Sequence, residues 1–254
     1  GINNAKVYIN DVMVDSFNAT TDERSVSLVA DTSRVYKEDG TYTVRVVVED
    51  NAGLTSEWSD SIKIDMTAPS LVDGAVLGNY VDRGDMIVFP SNPSAKVTVN
   101  DRGVGLGKIT LIDKDGKEVS NTDGLFELTT NEYHMVFEDK LGNKTSPTPL
   151  KDLLGLPNNK IVVDTLNPSV DIKRPNGIVG NWFKDDVEYS MKLEDTTGLS
   201  TVNVKINGVD VINHAFENKN TLSKDMLFST KGINPNDDGS YNVSVVVVDI
   251  VGNT

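Results

Sequence analysis

The chain has 254 residues, no cysteine and a formal charge of −14, from 38 acidic and 24 basic residues. Thiolate metal centres and cysteine nucleophiles are excluded, and nucleic acid and anionic membranes, which need a basic face, are unsuitable partners. No apolar run approaches the roughly 20 residues of a membrane-spanning helix, so helical membrane insertion is not expected.

Taken in chain order, the residues alternate apolar and polar with almost no helical periodicity, the signature of strands with one buried face. After Gly1-Ile2, residues 6–9 and 12–14 flank Asn10-Asp11 as a hairpin. Tyr42 then opens an alternating run (Val44, Val46, Val48) that ends in Asp50-Asn-Ala-Gly53. Residues 61–65 read as a last strand, followed by the joint Asp65-Met-Thr-Ala-Pro69, where Pro stiffens the chain. A second unit opens with Gly74-Ala-Val-Leu-Gly78-Asn79-Tyr80 and is expected to hold about two strands before Gly105-Leu106. Residues 109–112 and 118–119 flank Asp113-Lys-Asp115-Gly116 as its hairpin. Tyr133, Met135 and Phe137 lead to Asp139-Lys-Leu-Gly142, and residues 160–164 to the joint Asp164-Thr-Leu-Asn-Pro168. The third unit repeats the opening as Gly177-Ile-Val-Gly180-Asn181-Trp182, then Gly198-Leu199, a hairpin about Asn207-Gly208, and Tyr241 with its run to Asp249-Ile-Val-Gly252. That run is apolar on both faces from Val245 to Val248, as a central strand would be.

A phrase written three times at intervals of roughly 100 residues predicts tandem β domains. The phrases place them at 1–66, 67–165 and 166–254. The first lacks the opening portion and the third the last strand, so the chain reads as a slice of a longer repeat protein. The alternative is that neighbouring chains add strands at open edges.

Gly40 through Pro69 (Gly-x-Tyr-x-Val-x-Val-x-Val-x-Asp-x-Ala-Gly, then Ile-Asp-x-Thr-Ala-Pro) resembles the bacterial immunoglobulin-like repeats of secreted and cell-surface proteins, and looser copies cover nearly the whole chain. Leu54 departs from the pattern, since Asn143 and Asn253 stand at that place in the other copies. The resemblance implies elongated tandem immunoglobulin-like antiparallel β-sandwiches, all-β and extracellular. It implies a non-catalytic structural or spacer role on a bacterial cell surface, in a surface layer or an adhesin stalk. Partners would be neighbouring domains or copies of the same surface protein, or a cell-wall or host glycan or protein. Alternatives are a carbohydrate- or host-protein-binding adhesin region and accessory domains of a secreted hydrolase, because such folds host many functions.

Individual residues sort accordingly. Tyr42, Tyr133 and Tyr241 fit a tyrosine corner, the ring packed and the hydroxyl on nearby backbone. Gly53, Gly142 and Gly252 supply positive φ after an Asp that bonds the amide two residues on. Cofactors are expected to be none, with calcium the one option: Asp50, Asp139 and Asp249, the joint residues Asp65 and Asp164, and Asp113 with Asp115 are oxygen donors for it, set against simple turn chemistry. Trp58, which has no counterpart in the other units, is the candidate ligand-stacking residue and the tryptophan expected to be exposed; Tyr80 and Trp182 read as packing residues. Lys6, Lys108 and Lys205 are weighed for a Lys–Asn crosslink and read as solvent-facing. His134 and His214 assemble into no triad with a nucleophile and an acid, and Asp185-Asp186 reads as a solvated face.

Overall fold

A computed structural model describes residues 1–30, 35–122, 124–173, 175 and 182–254. The Gly177-to-Asn181 part of the third opening phrase lies outside the described residues. The strands are β1 (Ile2–Ile9), β2 (Val12–Glu23), β3 (Gly40–Asp50), β4 (Thr55–Ile64), β5 (Ser70–Leu77), β6 (Val81–Asp82), β7 (Ile87–Phe89), β8 (Ser94–Asn100), β9 (Leu106–Asp113), β10 (Glu118–Val119), β11 (Asn121–Thr122), β12 (Leu125–Glu127), β13 (Asn131–Asp139) and β14 (Thr148–Pro149). The helix α1 (Leu150–Leu154) precedes β15 (Lys160–Val163), β16 (Ser169–Lys173), β17 (Glu188–Glu194), β18 (Leu199–Ile206), β19 (Val209–Ala215), β20 (Ser223–Ser229) and β21 (Val243–Asp249). The fold is tandem immunoglobulin-like β-sandwich.

The chain forms two compact units, one of Gly1–Val72, Val99–Ile109 and Val136–Ser146, the other of Asp73–Thr98, Thr110–Met135 and Pro147–Thr254. In the first, β2-β1-β3-β4 make one sheet. Asn10 and Asp11 both take positive φ (46° and 64°), the type I′ geometry whose twist matches the strands it joins. Asn10 also clasps β3: its amide donates to the Thr43 carbonyl at 3.0 Å, and its Oδ1 accepts from the Thr43 amide at 2.8 Å.

In the second unit, β19-β18-β21 face β16-β17-β20. Met191, Leu193 and Phe228 from one sheet meet Leu199, Val202, Val204, Ile206 and Val247 from the other, all buried. Alternation on the pleat brings these residues to one side. The turn Asn207-Gly208 repeats the I′ geometry (φ 50° and 83°), and Asn207 repeats the clasp, on Asn242.

The order β10-β9-β13-β15-β7-β6 and the order β11-β12-β8-β5 describe the remaining two sheets. Four strands, not two, occupy the span before Gly105; β6 and β7 are too short to show a period. Ile87, Val88 and Phe89 are all buried, so β7 is covered on both faces. It pairs parallel with β15, an exception to the antiparallel expectation. Helix α1 was not expected. Pro149 precedes it and Gly155, at φ 66°, ends it, the usual asymmetry of helix ends. The reading of residues 245–248 as a strand covered on both faces is corrected: Val247 is 4% exposed in the core, Val246 on the opposite face is 42% exposed, and β21 borders its sheet among the described residues.

Leu193 sits at the centre of the β17/β18 core with no exposed surface. Leu193→Ala is expected to destabilise that sandwich by about 2–5 kcal/mol, read from urea unfolding; a change under about 0.5 kcal/mol would refute the two-sheet core.

Candidate functional site

Each Tyr of the repeated phrase binds backbone just upstream. The Tyr42 hydroxyl donates to the Glu38 carbonyl at 2.9 Å, that of Tyr133 to Thr129 at 3.2 Å, and that of Tyr241 to Ile233 at 3.3 Å. The turns that end these strands are built on one carboxylate oxygen each. Asp50 Oδ1 accepts the amides of Ala52 and Leu54, Asp139 Oδ1 those of Leu141 and Asn143, and Asp249 Oδ1 those of Val251, Gly252 and Asn253. Gly53, Gly142 and Gly252 turn the chain with φ of 80°, 92° and 100°.

Where Asn follows the Gly, the turn gains a second function. Asn143 Nδ2 donates to the other oxygen of Asp139 at 2.6 Å and to the backbone carbonyl of joint residue Asp65 at 3.1 Å. Asn253 Nδ2 does the same to Asp249 at 2.6 Å and to the carbonyl of Asp164 at 3.2 Å. Each asparagine thus staples a strand-end turn to the joint about 80–90 residues earlier in sequence, a connection the hydrogen-bonding amide makes without charge. Leu54, at the first copy, is 71% exposed and makes no such staple.

The joint carboxylates are held too. Asp65 accepts the amides of Val104 (2.6 Å) and Thr67 (3.3 Å). Asp164 accepts the Leu166 amide at 3.0 Å and the Thr197 hydroxyl. A third acid joins each. Asp101 Oδ2 accepts the amides of Gly103 and Gly105, and Asp195 Oδ1 those of Thr197 and Gly198. Carboxylate oxygens of Asp65, Asp101 and Asp139 all lie within 4.8 Å of one another, as do those of Asp164, Asp195 and Asp249. The second trio is buried throughout; in the first only Asp139 is fully buried. Their donors named above are all neutral, so hydrogen bonding spreads the charge without cancelling it. An all-oxygen, carboxylate-rich set of this kind suits a hard divalent cation such as calcium.

Asp101 and Asp195 were not picked out in the sequence. Both stand just ahead of the Gly-Leu phrase, but four residues before Gly105 and three before Gly198, and that unequal loop length hides the correspondence. The other acidic candidates stay apart: Asp50 and Asp113 are turn acceptors, and Asp115 pairs with Lys114 at 2.9 Å. The tryptophan expectation is corrected, since Trp182 is 75% exposed and Trp58 57%. Tyr80 does pack, its ring centroid 5.4 Å from that of Phe89. His134 lies on β13 opposite Pro149, and His214 stands edge-on to Phe216. Lys205 is half-exposed beside Asp210.

No protein-family model and no curated protein matches the chain. Among solved structures it is similar to the fibronectin(III)-like modules of Clostridium thermocellum CbhA, with 13% identity over 73% of this chain and 87% of that one and a TM-score of 0.26. It is also similar to a tetra-tandem repeat in the extending region of a large adhesion protein, with 16% identity, all of this chain, 65% of that one and a TM-score of 0.32. A third likeness is to Bacteroides ovatus SGBP-B in complex with a mixed-linkage heptasaccharide, with 12% identity, 98% of this chain, 55% of that one and a TM-score of 0.16.

Asn143→Leu installs the side chain found at position 54 and leaves a buried Asp139 oxygen and the Asp65 carbonyl without that donor. It is expected to cost about 1–3 kcal/mol in chemical denaturation, and an unchanged midpoint would remove the staple from the account of stability. Burial opposes the charge on Asp139, but the Asn143 side chain and the amides of Asn143, Leu141 and Gly142 outweigh it and lower the carboxyl below its ordinary pKa. A lowered folded pKa means stability that is present above the unfolded value of roughly 3.9 and is lost as pH falls through the folded one. The melting midpoint is expected to fall below about pH 4, and Asp139→Asn to weaken that acid dependence while lowering the midpoint at neutral pH.

Proposed function

We propose that this chain is a non-catalytic structural spacer of a bacterial cell-surface protein. It is built of bacterial immunoglobulin-like repeats over 1–66, 67–165 and 166–254, outside the cell, in a surface layer or an adhesin stalk. The observation that carries this reading is the repeated staple from Asn143 to the Asp65 carbonyl and from Asn253 to that of Asp164. A joint whose backbone is bonded to a strand-end turn is restrained, and a restrained joint serves spacing. Catalysis would need convergent acid, base and nucleophile groups; the convergent groups described are carboxylates already bonded as turn acceptors.

Limited proteolysis tests the restraint directly. Chymotrypsin is expected to spare the Leu166 joint in the native chain and to cut it at least about tenfold faster in Asn253→Leu, since cleavage reports local opening. Cutting at the same rate as an exposed loop in the native chain would sink the spacer reading.

A second reading adds calcium at the joints, favoured by the convergence of Asp164, Asp195 and Asp249, all buried with neutral donors. Calcium binding the folded chain alone raises its melting midpoint by mass action. The midpoint is expected to be higher in calcium chloride than in chelator, and that difference to shrink in Asp195→Asn. Equal midpoints for the native chain leave turn chemistry as the whole role of these residues.

A further inference from the structure

The turn between β6 and β7 makes contacts with residues more than a hundred positions later. Asp82 to Asp85 are folded on themselves: Asp82 Oδ1 accepts the Gly84 amide at 2.8 Å, and the Arg83 amide donates to the Met86 carbonyl at 3.0 Å. The carbonyls of Asp82 and Gly84 are taken by side chains from elsewhere, Lys219 Nζ at 2.9 Å and Asn158 Nδ2 at 3.3 Å. The Arg83 side chain is 9% exposed. Its guanidinium is forked on Asp85, Nε to Oδ1 at 2.7 Å and Nη2 to Oδ2 at 2.5 Å. Its third nitrogen, Nη1, donates to the Thr197 carbonyl at 3.0 Å. A planar fork already held by a carboxylate can aim its outer nitrogen in only one direction.

The loops that receive these contacts are bound to the joint. The Thr197 carbonyl and the Gly198 N–H belong to one peptide group, and that N–H donates to Asp195 Oδ1 at 2.6 Å. Arg83 and Asp195 thus hold the two ends of one peptide dipole, so each bond polarises the other. The Thr197 hydroxyl donates to joint residue Asp164. The Asp164 amide in turn donates to the Phe89 carbonyl, at the end of β7, at 2.9 Å. The Lys219 loop is tied to the same place. The Leu199 amide donates to the Thr221 carbonyl at 2.8 Å, and Gly198 lies so close to the Lys219 carbonyl that a Cβ has no room.

We propose that the Asp82–Asp85 turn is a clamp that holds the second repeat on the third and keeps the joint from Asp164 to Pro168 in one setting. Arg83 is its positioning residue. Asp85 aims the guanidinium, Thr197 receives it, and Lys219 closes a second, more exposed arm on the Asp82 carbonyl. The proposal rests on the spacer reading and deepens it, since it adds to the Asn253 staple a contact made by different residues on the preceding repeat. The two arms are unequal. A desolvated guanidinium on a carbonyl is a strong directional bond, whereas an exposed ammonium on a flexible stem is readily replaced by water.

The test uses the full chain with spin labels at Lys96→Cys and Asn213→Cys, both exposed and the only thiols present. Pulsed electron resonance reads the spread of distances between them, which is expected to be narrow. Arg83→Met keeps the apolar stem and is expected to broaden that spread at least about twofold, because losing the clamp frees small sliding of packed elements. Lys219→Met is expected to broaden it less. Should Arg83→Met also speed hydrogen exchange in β18, Asp85→Ala decides, since Asp85 is half-exposed and outside the core: a broader spread with β18 exchange unchanged supports the clamp, and an unchanged spread overturns it. A spread already broad in the native chain, or a larger effect from Lys219→Met than from Arg83→Met, overturns it too. An unchanged spread in Arg83→Met while chymotrypsin still spares the Leu166 joint removes the clamp alone and leaves the spacer reading standing.

Discussion

A carboxylate placed at the end of a strand and then buried must have its lone pairs filled, or the fold loses several kcal/mol at that point. Asp139 and Asp249 are such groups, 3% and 1% exposed. Meeting that demand dictates the next four residues of the chain. The backbone must curl so that amides two to four residues on point back at one oxygen, and the curl needs positive φ at its third step, hence Gly142 and Gly252. The other oxygen needs a donor without a charge of its own to bury, and Asn143 and Asn253 supply it. An amide nitrogen carries two hydrogens, so the second is free to take the joint carbonyl. The staple is thus a by-product of satisfying the turn.

The first copy shows the same logic by omission. Asp50 makes the same turn on the amides of Ala52 and Leu54 but is only half-buried, and Leu54 points to solvent. A less buried carboxylate can leave one oxygen to water, so nothing requires an asparagine there. The departure from the repeat and the difference in burial are one fact seen twice.

The parts of this fold legible in the sequence are those fixed by neighbours a few residues away. Period-two alternation located β1, β3, β9, β13, β18 and β21, and the Asn10-Asp11 and Asn207-Gly208 turns fixed their hairpins because only a few residues tolerate that backbone. What depended on distant partners was not legible. β6 and β7 are too short to show a period, and the parallel pairing of β7 with β15 joins segments some 70 residues apart. The trios were half visible: Asp65, Asp139, Asp164 and Asp249 stand in repeated phrases, whereas Asp101 and Asp195 sit in loops of unequal length whose only common feature is the Gly-Leu just after them.

Exposure is the least local property of all. Val48 and Val247 occupy the same place in the same phrase, each paired with the corresponding residue of the hairpin strand, Ala5 or Val202. One is half-buried and the other nearly fully buried, and no difference in their own strands accounts for it. The difference lies in the opposing layer: Met191 and Leu193 of β17 pack over Val247, and among the described residues no strand of a second sheet packs over Val48. A pleated strand commits its apolar residues to one side by geometry alone, but burying that side takes a second layer. On the inner face of the first sheet the cover falls off from strand to strand: Ala5, Val7 and Ile9 of β1 are buried, Val44, Val46 and Val48 of β3 half-buried, and Trp58 of β4 57% exposed, so residues of one phrase and one face differ in burial by their distance from the covering layer.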